Sequence, residues 1–255
     1  MTDTTPPSID LIVPARNEET NIVALLGALP DGFFRHVIVA DNGSTDRTAD
    51  LAEENGAVVV HEAQPGYGAA CQAGLAWVRG LGKDGEPDAV AFLDADLADD
   101  PAELPRLCEP ITSGRADLTI GTRLNLALPG ALDPHQKFGN WLACRLIALA
   151  TGKRYKDLGP MRVLSWRAVE TLDMRDRTWG WTVEMQYKAA RQKLRVVEMD
   201  VPYRKRRSGK SKISGSLIGS VKAGTKIITT LLSLWWAGRG GASANRTSWP
   251  SGPGV

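Results

Sequence analysis

Short apolar runs alternate with stretches of helical spacing through the first 120 positions of this 255-residue chain. The runs fall at 9–14, 36–41, 57–60, 89–93 and 117–121, and the intervening segments 18–28, 47–55, 68–80 and 101–112 carry helical periodicity. Asp46 and Asp100 stand where helix caps are needed, Pro101 at a first helical position and Gly56 at a stop. A chain that repeats β-α units buries both element types by laying strands parallel and covering both faces with helices. The expected fold is therefore α/β, Rossmann-like, with a mostly parallel central sheet flanked by helices. In such sheets ligands bind beyond the C-terminal ends of the strands.

The second half is less regular. Residues 122–133 read as a loop, and 135–150 as a helix with Phe138, Leu142, Leu146 and Leu149 or Ala150 near one face. Residues 157–162 read as a turn-like insert, 165–173 and 181–192 as helices, and 194–201 as a strand returning to the sheet. The expected organisation is a polar, disordered N-terminus over 1–8 with no signal peptide, a folded domain over 9–203 and a basic flexible loop over 204–215. An amphipathic helix over 216–237 and a disordered tail over 238–255 follow. The helix carries Leu217, Val221, Ile228, Leu231, Leu232 and Trp235 on one stripe. Its unbroken apolar part is far short of the roughly 20 residues a membrane span needs. It is expected to dock, on the core or on a membrane surface.

Composition removes several alternatives. Hydrophobic residues at 43% and charged residues at 24% suit a soluble globular chain. Cys71, Cys108 and Cys144 are far apart and odd in number, which argues against a disulfide framework or a zinc site. His36, His61 and His135 are equally scattered. Charge is unevenly placed: residues 201–255 hold ten Lys or Arg and no acid, on a body with a net charge of −8. A basic segment on an acidic body points to an anionic partner: a phosphate, a membrane surface or nucleic acid.

The apolar run 89–93 ends in Asp94-Ala95-Asp96-Leu97. Two carboxylates one residue apart at a strand end can approach one divalent cation, and hard oxygen ligands suit Mg²⁺ or Mn²⁺. Such an ion in turn grips a diphosphate. Asp99, Asp100 and Pro101 are accounted for by a helix start. Four further motifs follow the other strands: Pro14-Ala15-Arg16-Asn17-Glu18, Asp41-Asn42-Gly43-Ser44, Gly66-Tyr67-Gly68-Ala69-Ala70 and Gly121-Thr122-Arg123. Each is weak alone; their order, together with D-A-D-L, is specific.

In these motifs the chain resembles the family 2 glycosyltransferases of GT-A fold, and most of all the dolichyl- or polyprenyl-phosphate sugar synthases, over roughly residues 9–215. The resemblance implies that Pro14, Ala15, Arg16, Asn17 and Glu18 line a nucleotide pocket and that Asp41 contacts the base. It places Gly66, Gly68 and Ala69 near the nucleoside, Asp94 and Asp96 at the metal with Asp96 the main ligand, and Arg123 near the donor. The segment R-x-x-G-x-S-K matches Arg206, Gly209, Ser211 and Lys212, which are implied to hold phosphates. The implied reaction is metal-dependent, inverting transfer of a hexose from a UDP- or GDP-sugar. The implied acceptor is a polyprenyl phosphate, and the implied place is the cytoplasm or the inner face of the cell membrane. Three positions depart from the common pattern: Asn42 for a second Asp, Ala98 for Gln, and Arg16 for an aromatic residue.

Transfer from a nucleotide diphosphate builds negative charge on the leaving group, and a cation on Asp94 and Asp96 with Arg and Lys from the basic loop would stabilise it. The loop could also close over the diphosphate and exclude water. An acceptor hydroxyl would need a general base. Asp157, in the Gly-Pro turn, is the first candidate and Glu184 the second; both also suit structural roles. A lipid phosphate acceptor is already anionic and needs little such help. Trp179 and Trp181 are candidates for stacking on a sugar, flanking a lipid path or packing in the core.

Competing motifs fail on spacing. Gly209-Lys210-Ser211 lacks the first glycine of a P-loop, Arg204 standing there. Gly66-x-Gly68 lacks a third glycine and follows the third strand rather than the first, so it is no dinucleotide fingerprint. No nucleic-acid role is expected. The alternatives that remain are the same donor chemistry on a soluble acceptor, and a non-catalytic module docking on anionic membrane.

Overall fold

The computed structural model describes residues 6–206 and three further helical positions, Thr229, Thr230 and Ser233. One sheet contains β1 (Ile9–Ala15), β2 (His36–Asp41), β3 (Val58–His61), β4 (Ala89–Phe92), β5 (Leu118–Thr122), β6 (Arg162–Ser165) and β7 (Val196–Asp200). Their spatial order is β3-β2-β1-β4-β6-β5-β7. β1 pairs in parallel with β2 and β4, β2 with β3, and β5 with β7. Among the described strands only β6 is reversed, antiparallel to both β4 and β5.

The helices are α1 (Ile22–Leu26), α2 (Thr48–Glu54), α3 (Tyr67–Gly80), α4 (Leu104–Thr112), α5 (Pro134–Thr151), α6 (Trp166–Leu172) and α7 (Trp181–Arg191). They cover both faces. Ile12 of β1 joins Leu75 of α3, Ile147 of α5, Val169 of α6 and Trp181 of α7 in one core. Leu11 and Val13 join Leu25 of α1, Ala52 of α2 and Leu107 of α4 in the other. The period-2 alternation of β1 thus feeds two apolar layers, which explains why the strands read as nearly continuous apolar runs. The expected mostly parallel, doubly covered sheet is what the chain forms.

Three expectations change. The insert expected at 157–162 leads into β6, a strand that spacing did not reveal. Val163 and Leu164 point into opposite cores, but the strand opens on Arg162, a charged residue with almost no exposure. The helix expected over 18–28 shrinks to Ile22–Leu26, because the Glu18 carbonyl accepts from the amides of both Asn21 and Ile22 in a preceding turn (2.9 and 2.8 Å). In α5, a capping box of Asp133 and Gln136 fixes the start, and Gly152 at φ 79° ends the helix. Its buried side is Asn140, Ala143, Cys144 and Ile147, so Phe138 and Leu149 of the expected stripe face outward.

Of the helix expected at 216–237 only the three described positions can be placed. Thr230 is buried, its hydroxyl 3.5 Å from Asp176 Oδ2, beside the start of α7. No helix among the described residues is long and apolar enough to cross a membrane.

Candidate active site

Because β1, β2, β4 and β5 all run the same way, their C-terminal ends share one edge, and the sequence motifs meet there. At the end of β1, Pro14 is half-buried, Ala15 is buried with its carbonyl accepting from the Asn42 amide (2.8 Å), and Arg16 is exposed. Asn17, at φ 52°, turns the chain toward the loop after β2. Its amide donates to Ser44 Oγ (2.9 Å) and its Oδ1 accepts from the Thr45 amide (2.8 Å). The Glu18 amide donates to Thr48 Oγ1 (2.8 Å). Asp41 is buried, accepts from the Ser44 amide and lies 3.4 Å from His61 Nδ1.

Asn42 explains its own departure from the family pattern. Its Nδ2 donates to the carbonyls of Glu62 and Gln64 (3.1 and 2.7 Å), and its Oδ1 accepts from the Gly66 amide (2.7 Å). An aspartate could supply the acceptor but neither donor. Asn42 therefore staples the Gly66 turn to β2.

The glycines of that turn serve a close approach. A Cβ on Gly66 would stand 2.0 Å from the Arg177 carbonyl oxygen, and one on Gly68 2.1 Å from that of Asp176. The amides of Gly68 and Ala69 donate to the carbonyls of Thr178 and Arg177 (3.1 and 2.8 Å). The first turn of α3 is thus covered by segment 176–178, and Ala69 is fully buried. Between them stands Tyr67, whose hydroxyl favours the ionised form of the nearby Asp94 carboxylate.

The chain past β4 turns through Leu97 at φ 58°. Asp94 Oδ1 is buried and has no hydrogen-bond partner among the described residues. Burial, and then the neighbouring charge of Asp96, push the Asp94 carboxyl up to about 6, against the opposing pull of Tyr67, Arg206 and Arg123. Asp96 Oδ1 accepts from the Ala98 amide (2.9 Å), and its Oδ2 receives Arg206 Nε at 2.8 Å. Arg206 arrives because segment 203–206 runs beside 98–100: Tyr203 bridges to Asp99, the Arg204 amide donates to the Ala98 carbonyl (2.9 Å), and the Arg204 guanidinium pairs with Asp100.

Asp99 departs from expectation. Asp100 does cap the following turn, accepting from the Ala102 amide (3.1 Å). Asp99 does not: it is 2% exposed and neither carboxylate oxygen has a partner among the described residues. Burial holds its carboxyl well above the usual range.

The two candidate bases are both engaged. Arg123 clasps Asp157 through Nε and Nη2 (both 2.8 Å), and its amide donates to the same carboxylate (2.8 Å). Burial would raise the Asp157 carboxyl, but this guanidinium holds it below the ordinary value. The Arg123 side chain lies over the Tyr203 ring, 5.2 Å from its centre. Behind the pair, Arg162 donates to the carbonyls of Gly159 and Thr182 and to Gln186 Oε1, while Gln186 Nε2 donates to the Asp157 carbonyl (3.0 Å). Glu184 is buried on α7, where it accepts from the amides of Arg175 (3.1 Å) and Asp176 (2.6 Å) and pairs with Lys188 (2.8 Å). Trp181 is core, edge-on to Phe92, and Trp179 is exposed.

The structure therefore brings Asp94, Asp96, Arg123 and Arg206 together, sets Asp157 directly behind Arg123, and leaves Glu184 holding the 175–176 backbone. Ser211 and Lys212 lie outside the described residues. Tyr67, Asp99 and Tyr203 also belong to this edge. Tyr67 was missed, though its place between two glycines could have pointed to it; Asp99 was hidden by a helix start that Asp100 satisfies alone.

Comparison with known proteins agrees with this geometry. Residues 10–164 match the family described as glycosyl transferase family 2. An uncharacterized glycosyltransferase of Mycobacterium tuberculosis is 36% identical over 220 residues, covering 85% of this chain and 94% of the relative. The undecaprenyl-phosphate mannosyltransferase of Micrococcus luteus is 29% identical over 228 residues, covering 82% of this chain and 88% of its own. The crystal structure of glucosyl-3-phosphoglycerate synthase from Mycobacterium tuberculosis, in complex with Mn²⁺, UDP-glucose and phosphoglyceric acid, shares the fold. It has a TM-score of 0.70 and 22% identity, over 91% of this chain and 80% of that one. With its motifs gathered at the edge where GT-A enzymes bind their donors, the chain is a member of glycosyl transferase family 2.

Proposed function

We propose that this protein transfers a hexose, with inversion, from a UDP- or GDP-sugar to a polyprenyl phosphate at the cytoplasmic face of a membrane. The observation that carries the reading is the end of β4: two adjacent carboxylates, one with an orphaned buried oxygen, facing two arginines. That arrangement fits a divalent cation held partly by protein and partly by a diphosphate. Among the described residues no set of three or more His, Cys, Asp or Glu could hold a metal alone. A Mg²⁺-like ion characteristically takes one or two carboxylates plus substrate phosphates.

Asp96 and Asp94 would hold Mg²⁺ or Mn²⁺, which when bound supplies Lewis-acid stabilisation of the leaving diphosphate. Arg206 is within reach of that same charge. Arg123, aimed by Asp157, offers a fixed cation to a second phosphate. The motifs after β1 and β2, tied by Asn17, would form the nucleoside pocket, with Asp41 at its floor. A phosphate acceptor is ionised at neutral pH, so no general base is required. This suits the engagement of both Asp157 and Glu184 with protein donors.

The undecaprenyl-phosphate mannosyltransferase supports a lipid acceptor, while glucosyl-3-phosphoglycerate synthase supports a small phosphorylated one. Both would present a phosphate to Arg123. Incubation with a panel of UDP- and GDP-hexoses, Mn²⁺ and either undecaprenyl phosphate or phosphoglyceric acid separates them. Labelled sugar entering the organic phase is the expected result. Transfer only to the water-soluble acceptor would replace the lipid reading, and no transfer from any donor would overturn the proposal.

A further inference from the structure

The outward side of α5 carries an apolar stripe that no described element covers. Phe138, Trp141 and Leu149 are 62%, 56% and 79% exposed, and the two rings contact each other 5.9 Å apart. At 100° per residue, positions 138, 141, 145 and 149 share one face of the helix. The loop after Arg123 adds Leu124, Leu126 and Leu128, all exposed. Scattered surface hydrophobics are ordinary, but six exposed large apolar side chains between positions 124 and 149, two of them in ring contact, mark an interaction site.

Charge selects the occupant. Residues 124–156 contain five Lys or Arg and one acid, Asp133, within a body that is otherwise acidic. Lys137 and Arg145 are exposed on α5 itself, Arg145 within the stripe. Aromatic and aliphatic side chains interleaved with bases are what an interfacial helix presents to an anionic bilayer. A symmetric pairing of two copies through this face would set the same positive stretch against itself. The position also fits. Asn140 Oδ1 accepts from the Leu158 amide (2.8 Å), which bolts α5 to the turn bearing Asp157, and the exposed leucines continue directly from Arg123.

We propose that the α5 stripe and the 124–128 loop form the surface by which this protein rests on an anionic lipid bilayer, with Arg123 opening toward the headgroups. The proposal deepens the lipid-acceptor reading by naming the face that meets the membrane. It differs from docking through the basic segment beyond 204, because it assigns the contact to the folded domain.

The test is co-sedimentation of the full chain with phosphatidylcholine vesicles, with and without phosphatidylglycerol, in the absence of donor and acceptor. Wild type should bind the anionic vesicles, more weakly at high salt. The pair Phe138→Ser with Trp141→Ser, and separately Lys137→Glu with Arg145→Glu, should each weaken binding at least about tenfold. Both pairs are on the surface, so melting temperature and donor hydrolysis should be unchanged. Wild-type binding by both variants would overturn the proposal, as would no binding by wild type. A concentration-dependent dimer abolished by Phe138→Ser with Trp141→Ser would assign the face to a second copy instead. Transfer to undecaprenyl phosphate in detergent is scored separately. Lost vesicle binding with transfer intact therefore reports on the surface alone, and intact vesicle binding without transfer would count only against the acceptor.

Discussion

The carboxylates at the end of β4 and those behind the site are opposites in one respect. Asp157 and Glu184 are buried and their oxygens are taken by arginine, lysine and backbone amides. Asp94 and Asp99 are enclosed as well, yet among the described residues three of their four oxygens have no partner, and Asp96 Oδ2 meets a surface arginine near the end of the described chain. A buried carboxylate without partners is costly, so it persists where something else is to be bound. A carboxylate with every lone pair engaged is holding the fold. The contrast separates substrate chemistry from scaffolding more sharply than residue type does.

Replacing carboxylates in each region probes the contrast. Asp96→Asn should show the largest effect, cutting metal-dependent transfer by roughly a thousandfold while leaving the melting temperature near wild type. Near-normal turnover would remove the metal assignment. Asp157→Ala should act mainly through stability, because it strands the Arg123 charge behind the site. The expected loss is about 3–5 kcal/mol, read as a fall of about 10 °C or more in thermal unfolding. A stable but inactive Asp157→Ala protein would mean that Asp157 serves the site, by aiming Arg123 or at the reacting groups, rather than the fold. Asn42→Asp should cost about 2 kcal/mol by facing two carbonyls with no donor. It should raise the KM for donor more than it lowers kcat; an unchanged KM would disconnect the Gly66 turn from the donor pocket.

The pH dependence should be gentler. A ligand carboxylate must be deprotonated. With Asp94 raised to about 6, metal-dependent turnover should fall as pH drops through about 6, where an ordinary carboxylate would hold to about 4. Added Mn²⁺ should move the break downward, since metal and proton compete for the same oxygens. A profile flat to pH 5 would place the metal elsewhere.

What could be read from sequence follows the same division. The strands β1 to β5 are local apolar runs, and their motifs follow each strand within a few residues, so the donor edge was visible in order. The rear wall is assembled across long separations. Arg123 and Asp157 are 34 residues apart, and β6 is inserted between β4 and β5 on a buried arginine that no apolar pattern announces. Asp157 and Glu184 therefore looked like candidate bases, because their partners become neighbours only in the fold. Asp99 was assigned to a helix start for the converse reason: nothing local shows that its oxygens are left without partners. The stripe of α5 had the right period, and only the packing of Asn140, Ala143 and Ile147 revealed which side faces the core.

Turnover of Glu184→Gln, measured beside Asp96→Asn at a temperature where both are folded, tests the account most directly. If the partnered carboxylates are scaffold, Glu184→Gln keeps kcat within about tenfold of wild type and loses melting temperature, because an amide opposes Lys188 and leaves fewer acceptors for the 175–176 amides. A Glu184→Gln protein that melts like wild type and has lost as much turnover as Asp96→Asn would contradict it.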